Sequence, residues 1–232
     1  MVLPRRTRNR LLAALSSTDF ALLSNELQPV ELAKRQILYD VGDAFDFVYF
    51  IEDGFASVLT TMENGTSSEV GMVGPEGLIG GPALLGGQVS AQQVVMQLPG
   101  LALRITATAC KAAFENNRGI RAVLLRFIED LLNLSSQTAG CNRLHSVEQR
   151  SARWLLMASD RFGDEVLPLT QEFIAAMLGV RRSGVSEAAG ELQRSGLIRS
   201  RRGEITIIDR AGLEKTACEC YGLDKLRLSR PL

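Results

Sequence analysis

Histidine is nearly absent from this chain: His145 is the one copy in 232 residues. That scarcity removes most histidine-based catalysis. No Ser–His–Asp set or convergent carboxylate pair can be picked out either, so no enzymatic activity is expected. Net charge is absent too, with 26 basic residues against 26 acidic ones. A histone-like, general attraction to nucleic acid is thereby excluded, and contact with a polyanion must come from a local patch. No apolar run is long enough to span a bilayer, so no membrane partner is expected. Arg5, Arg6, Arg8 and Arg10 make the start basic, but no apolar signal-peptide core follows them. The four cysteines, Cys110, Cys141, Cys218 and Cys220, match neither a zinc ribbon nor a secreted disulfide framework. The expected setting is a reducing bacterial-type cytoplasm, with no metal and no cofactor.

What is present is concentrated in TQEFIAAMLGVRRSGVSEAAGEL, residues 170–192. The spacing predicts two helices around a tight turn at Gly179, where a side chain would strain the backbone. Ile174, Ala175 and Leu178 give the first helix an apolar face, and Val180, Val185, Ala188 and Leu192 do so for the second. Left outward on the second helix are Arg181, Arg182, Ser183, Ser186 and Glu187. Donors and one acceptor grouped at a helix N-terminus are the equipment for reading base edges in the major groove. An ordinary helical hairpin needs a turn glycine as well. The next stretch, GLIRSRRGEITIID at 196–209, reads as strand, turn, strand with a basic tip at Arg201, Arg202 and Gly203. In that position a hairpin is a wing, whose guanidinium groups suit phosphate oxygens, although solvated hairpins carry arginines too.

Upstream the pattern changes twice. Ser17, Thr18 and Asp19 can cap a short helix with Phe20, Leu22, Leu23 and Leu27 on its apolar side. From Gln36 to Ile105 the segments QILYD, FVYFIE, FASVLTTM, SSEVGMVG, AQQVVMQ and LALRI alternate with Gly, Pro, Asn and Asp. They predict short strands in a compact barrel or jelly-roll-like domain, with Asn64-Gly65 the strongest hairpin signal. Residues 119–144 then read as one long helix. Ile120, Leu124, Phe127, Leu131, Leu134, Thr138 and Cys141 alternate spacings of four and three, the seam of a helix packed on a partner helix. Val123, Leu125, Ile128 and Leu132 form a second stripe. One stripe can face the β domain and the other a second subunit; a helix buried wholly in its own chain shows the same wide apolar face. Pairing doubles the readout of a single helix-turn-helix, so the seam is assigned to a homodimer on a palindromic site.

In this order, the chain resembles the Crp/Fnr family of bacterial transcription regulators over residues 18–212. The resemblance is carried by VGDAFDFVYFIEDGFASVL, with Gly42 and Gly54 at its turns, by LIGGPALLGGQVSA, and most specifically by LTQEFIAAMLGVRRSGVSEAAGELQRSGLI. It implies an α+β chain: an N-terminal segment at 1–17, a jelly-roll-like cyclic-nucleotide-binding-like β-roll at 18–118, a dimerisation helix at 119–145, a winged helix-turn-helix at 146–212 and a tail at 213–232. It implies base reading by Arg182, Ser183, Ser186 and Glu187, and DNA-backbone contacts by Thr170, Gln171, Arg181, Arg201 and Arg202. The implied partners are double-stranded DNA and a second copy of the chain, with RNA polymerase a further candidate and the effector unidentified.

The departures bear on the signal and on the DNA site. Family members that bind cyclic AMP hold the ribose with a Glu and the cyclic phosphate with an Arg-Ser pair. Here Gly81, after Gly80, stands at the Glu position, and Val89 precedes Ser90 at the Arg position. Losing one partner of a buried charge pair costs about 3–5 kcal/mol, so control by cyclic AMP in the usual way is not expected. No cysteine precedes Cys110, which argues against the N-terminal iron–sulfur cluster of the oxygen-sensing branch. His145 lies outside the β-roll and reads as a hinge or surface residue, not a haem ligand. Where the best-known branches place a Glu and, four residues on, an Arg, this chain has Ser183 and Glu187, so its preferred DNA sequence should differ.

Cys218-Glu219-Cys220 reads as a redox or metal element or as part of an ordinary tail helix. Two thiolates without further ligands make a poor zinc site. Cys141 can pair across a dimer axis or be small and buried. GMVGPEGLIGG lacks the lysine of a phosphate loop. Two alternatives stand beside the DNA-binding regulator. One is a module that binds an effector or a protein, its winged helix making protein contacts. The other is a regulator answering a non-classical small ligand or a redox signal.

Overall fold

The structure, a computed structural model, describes residues 7–230, so Arg5 and Arg6 of the basic start lie outside the described residues. Among the described residues no helix is long and apolar enough to cross a membrane. The chain divides into two compact units. One holds the described residues up to Val58 together with Met72–Leu132, the other Leu59–Gly71 and Asn133–Arg230.

The first unit opens with helix α1 (Arg10–Ala14), whose cap is Asn9. The Asn9 side-chain oxygen accepts from the amides of Leu11 and Leu12, and its nitrogen donates to the Ile51 and Gly77 carbonyls at 2.9 and 2.8 Å. Helix α2 (Ser17–Ser24) is capped by the Ser16 hydroxyl, one residue before the expected capping segment. Leu23 is buried on it and Leu22 is exposed.

Eight strands follow among the described residues: β1 (Gln28–Leu32), β2 (Ile37–Tyr39), β3 (Phe47–Ile51), β4 (Phe55–Thr61), β5 (Ser67–Val73), β6 (Leu78–Ile79), β7 (Gln93–Leu98) and β8 (Gly100–Thr106). They form two four-stranded sheets, ordered β1-β8-β3-β6 and β2-β7-β4-β5. Early and late strands interleave in both sheets, which is the pattern of a jelly roll. Strands β1 and β6 are additions to the six expected segments. β1 contains Pro29, which lacks a ladder N–H and is tolerated because β1 lies at a sheet edge. Phe50 on one sheet and Phe55, Met96 and Leu98 on the other are fully buried and belong to the core. The β3–β4 turn depends on Gly54. Its φ is +70°, and a Cβ there would meet the Leu98 and Pro99 carbonyl oxygens at 2.5 and 2.7 Å. The Asn64-Gly65 hairpin forms as expected, closed by Met62 N–H to the Thr66 carbonyl at 2.8 Å.

Helices α3 (Gly81–Leu84) and α4 (Ala107–Asn116) lead to the long helix α5 (Arg118–Leu144). The Asn117 side chain accepts from the Ile120 amide at 2.8 Å and starts it. Burial sorts the two stripes of α5 in a way that corrects the expected dimer seam. Ile120, Leu124, Phe127 and Leu134 are buried in the single chain, and Leu131 is half-buried. The ring of Phe127, for example, lies against Gly77. In the second stripe Ile128 is buried and Val123 half-buried, while Leu125 at 41 % and Leu132 at 63 % exposure reach solvent. Helical periodicity reveals two apolar stripes; it does not tell which one the chain covers itself.

The second unit is assembled on helix α6 (Val147–Phe162), which starts with a Ser146/Gln149 capping box. Around it come β9 (Val166–Leu167), α7 (Gln171–Leu178), α8 (Arg182–Arg194), β10 (Ile198–Arg201), β11 (Glu204–Ile207), α9 (Arg210–Thr216) and α10 (Cys220–Ser229). The strands make one small sheet in the order β10-β11-β9. The β4–β5 hairpin tip counts with this unit: Trp154 Nε1 donates to Glu69 Oε1 at 2.9 Å, and Ser135 Oγ to the Val70 carbonyl at 2.8 Å. The tail beyond α9 is held by a bidentate pair between Arg161 and Asp224, at 3.0 and 3.2 Å, with side chains only 3 % and 2 % exposed. Replacing Asp224 by Ala strands a buried guanidinium and should lower stability by about 3–5 kcal/mol, read from the urea unfolding midpoint. A loss below about 1 kcal/mol, the range of an exposed pair, would show that the pair is solvated in solution.

Candidate nucleic-acid interface

Helix α7 starts where the Thr170 side chain accepts from the Phe173 amide. It ends at Gly179, whose φ of +62° lies in the left-handed region. Ile174, Ala175 and Leu178 of α7 are buried, as are Val185, Ala188 and Leu192 of α8, which packs on it. Val180, expected on the α8 face, sits in the turn ahead of that helix and is half-buried. Arg181 is the N-cap of α8, and no side chain caps the first amides. Arg181, Arg182, Ser183, Ser186 and Glu187 are all exposed. The side of α8 opposite its packing face is therefore polar, and it is headed by two guanidinium groups at the positive end of the helix.

Gln171 has a position that local pattern does not reveal. Its Oε1 accepts from Ser186 Oγ at 3.1 Å, and its Nε2 donates to Ser200 Oγ at 3.2 Å. Ser200 N–H in turn donates to Gln193 Oε1 at 2.8 Å. One amide side chain thus ties α7, α8 and β10 together. The wing is formed by β10 and β11, with Ile198 opposite Ile207 and Arg201 opposite Glu204. Arg201 and Arg202 are exposed at its tip, and Arg199, not singled out from sequence, is exposed beside them.

The segment expected to hold an effector lies in the first unit. Gly80 caps α3 and Gly81 begins it, so neither supplies a carboxylate. Val89 is 55 % exposed and makes an isolated bridge to Ala44. Ser90 is buried, but its hydroxyl already donates to the Gln92 carbonyl at 2.6 Å, and its amide to the Asp43 carbonyl at 2.8 Å. No guanidinium comes from this stretch.

The cysteines fall into two sets. Cys110 is alone on α4, where burial pushes its thiol up to about 12. Cys218 and Cys220 were expected to lack further ligands, and His145 to be a hinge or surface residue. The structure corrects the first point by bringing Cys141 and His145 to the pair; His145 stands, half-buried, in the break between α5 and α6. The hydrogen bond from Cys218 holds the Cys141 thiol well below its ordinary value, and the same contact pushes Cys218 up. The imidazole of His145 is raised by its contact with Cys141 and by the nearby Glu219 carboxylate. Spacing within a short window could not find this set, because its halves are brought together only by the fold.

Residues 29–117 match the cyclic nucleotide-binding domain, and residues 149–216 match the Crp-like helix-turn-helix domain. The class is thus a nucleotide-binding-type β-roll joined to a DNA-binding helix-turn-helix. A CRP-like cAMP-activated global transcriptional regulator from Mycobacterium tuberculosis is 23 % identical over 217 residues, spanning 90 % of this chain and 97 % of that one. The transcriptional regulator SdrP of Thermus thermophilus is 39 % identical over 61 residues, 26 % of this chain and 30 % of its own. A transcriptional regulator of the Crp/Fnr family from Eubacterium rectale has the same fold, with a TM-score of 0.72 at 18 % identity, covering 90 % of this chain and 98 % of the other. The c-di-GMP-responsive global regulator CLP of Xanthomonas campestris aligns with a TM-score of 0.69 at 14 % identity, covering 83 % and 99 %. The chain belongs to the Crp/Fnr family of transcription regulators.

The turn at the centre of the motif gives a direct test. Replacing Gly179 by Ala forces a Cβ into the left-handed region and should lower stability by about 1–2 kcal/mol, measured by thermal or urea unfolding. An unchanged midpoint would mean that the turn is not left-handed in solution.

Proposed function

We propose that the protein is a homodimeric regulator that reads a two-fold symmetric operator and is not controlled by cyclic AMP in the usual way. The observation that carries this is the joint exposure of Arg182, Ser183, Ser186 and Glu187 on the open side of α8. Arg182 can fork to guanine O6 and N7, and Glu187 can accept from a cytosine amino group. Thr170, Gln171, Arg181, Arg201 and Arg202 are the backbone contacts of this reading; Thr170 and Gln171 combine that role with holding the motif together. The functional parts are a sensor at 18–118, a pairing helix at 119–145 and a reading head at 146–212, in a cytoplasmic protein without enzymatic activity.

Two copies meet, in this reading, along the solvent side of α5, where Leu125 stands between Ala122 and Glu129 at spacings of three and four. The related proteins are named for different signals, cyclic AMP in one and c-di-GMP in another. Here Gly81 offers a ribose no carboxylate, and Val89 and the committed hydroxyl of Ser90 offer a cyclic phosphate no guanidinium, which supports a different ligand or none.

In vitro selection of random duplex DNA with the full-length protein and no added ligand tests the whole reading. Enrichment of a palindrome with half-sites about 34–36 Å apart is expected. A non-palindromic site, or none, would count against a ligand-free dimer. Arg182→Ala should weaken specific binding by about 1–3 kcal/mol and relax one base position. Unchanged selectivity on site variants would remove Arg182 from base reading. Leu125→Asp should give a folded monomer by light scattering, whereas Leu124→Asp, in the buried stripe, should unfold the chain. A dimeric Leu125→Asp protein would move the interface elsewhere. If the winged helix instead contacts proteins, DNA affinity should lack the steep salt dependence that counterion release imposes.

A further inference from the structure

Cys141 lies in the last turn of α5 and His145 just beyond its end, four residues on, with the His145 amide donating to the Cys141 carbonyl at 3.1 Å. Cys218 and Cys220 bracket the junction between α9 and α10. One ligand atom from each of the four lies within 4.8 Å of all the others. Cys141 Sγ is 3.6 Å from Cys218 Sγ, and Cys220 Sγ is 3.8 Å from His145 Nδ1. Bond lengths of about 2.3 Å for Zn–S and 2.0–2.1 Å for Zn–N put the corners of a ZnS₃N tetrahedron about 3.5–3.8 Å apart. Both separations are thus within about 0.3 Å of the edges that a single bound ion demands. We propose that Cys141, His145, Cys218 and Cys220 form a four-coordinate Cys₃His site for one zinc ion.

The surroundings fit an occupied site. The three cysteines are buried, at 1, 4 and 0 % exposure. The Glu219 carboxylate meets His145 Nε2 at 3.1 Å, which leaves Nδ1 for the metal and orients the ring, the carboxylate–histidine–zinc arrangement. Gln137 Nε2 donates to Cys220 Sγ at 3.0 Å. Three thiolates around a dication carry one net negative charge. The buried side chains of Arg150 and Arg153 interact electrostatically with Cys141, and the Nε of each lacks a hydrogen-bond partner. A multi-iron cluster would spread its ligands over several metal atoms, farther apart than this span. Sulfur and imidazole donors select a borderline-soft ion over magnesium or calcium. With four protein ligands the coordination sphere is closed, so the ion is structural: it joins the end of α5 to the start of α10 and releases protons on binding.

The test uses the full-length protein purified under reducing conditions without chelator. Elemental analysis should find one zinc per chain. Removal of zinc and titration with Co²⁺ alone should give the intense visible absorption of a tetrahedral, thiolate-rich cobalt site, lost again when zinc is added. Stripping the zinc should lower the Tm, and zinc alone should restore it. Cys218→Ser and His145→Ala should abolish the cobalt signal, and Cys110→Ser, remote from the site, should keep it. The wild-type cobalt titration stands even if the ligand variants fail to fold. Zinc-free protein with an octahedral-type cobalt spectrum overturns the proposal. So does a Cys141–Cys218 disulfide that persists when zinc is supplied under reducing conditions.

Discussion

Helix α6 is buried along most of its length and yet carries Arg150, Arg153, Asp160 and Arg161; the C-terminal unit depends on each of these charges meeting a partner. Arg150 donates to the Leu178 carbonyl, the last residue of α7. Arg153 donates to Thr138 Oγ1 on α5 at 3.2 Å. Asp160 accepts from Arg210 and, at 2.9 Å, from the Tyr221 hydroxyl. Arg161 clasps Asp224 on α10. Four charges thus reach α5, α7, α9 and α10. Apolar packing holds helices together without a preferred direction, whereas hydrogen bonds fix angle and register. Through Leu178, a guanidinium on α6 helps to set where α7 stops and where the turn into α8 begins.

Much of this was legible in the sequence because it is local. The helix–turn–helix, the wing and six strands are patterns of period 3.6 or 2 interrupted by glycine, and the structure has them where the spacing puts them. The misses have physical causes. Strand β1 contains a proline that ordinarily argues against a strand, and only its edge position makes it admissible. On α5 two apolar stripes compete, and the choice of the buried one rests on what lies opposite, which periodicity does not encode. The task of Gln171 depends on Ser186 and Ser200, 15 and 29 residues away. The thiol–imidazole set is further still: its contacts join residues 75 and 77 positions apart, and each half alone, C-x₃-H or C-x-C, is unremarkable.

The two units carry different kinds of constraint. In the β-roll the segment from Gly80 to Ser90 is glycine-rich, and Ser90 is satisfied by neighbouring backbone, its hydroxyl donating to the Gln92 carbonyl and its amide to the Asp43 carbonyl. In the C-terminal unit polar side chains reach between elements, as Gln171, Arg153 and Arg161 do. Loss of a charge in the first case changes what can be bound; loss of one in the second changes where whole helices sit.

The outer strands of the β-roll have a consequence for its behaviour at high concentration. An unpaired strand edge is a template for a neighbouring chain, and sheets that expose long, flat edges tend to aggregate. Here β1 interrupts its donor row with Pro29, β6 is only two residues long, and β2 is three residues long with a shift in register. Three of the four outer strands in the two sheets are thus poor templates. Strand-by-strand growth is disfavoured at those edges, which leaves helical surfaces as the better route for copies of this chain to meet in a crowded cell.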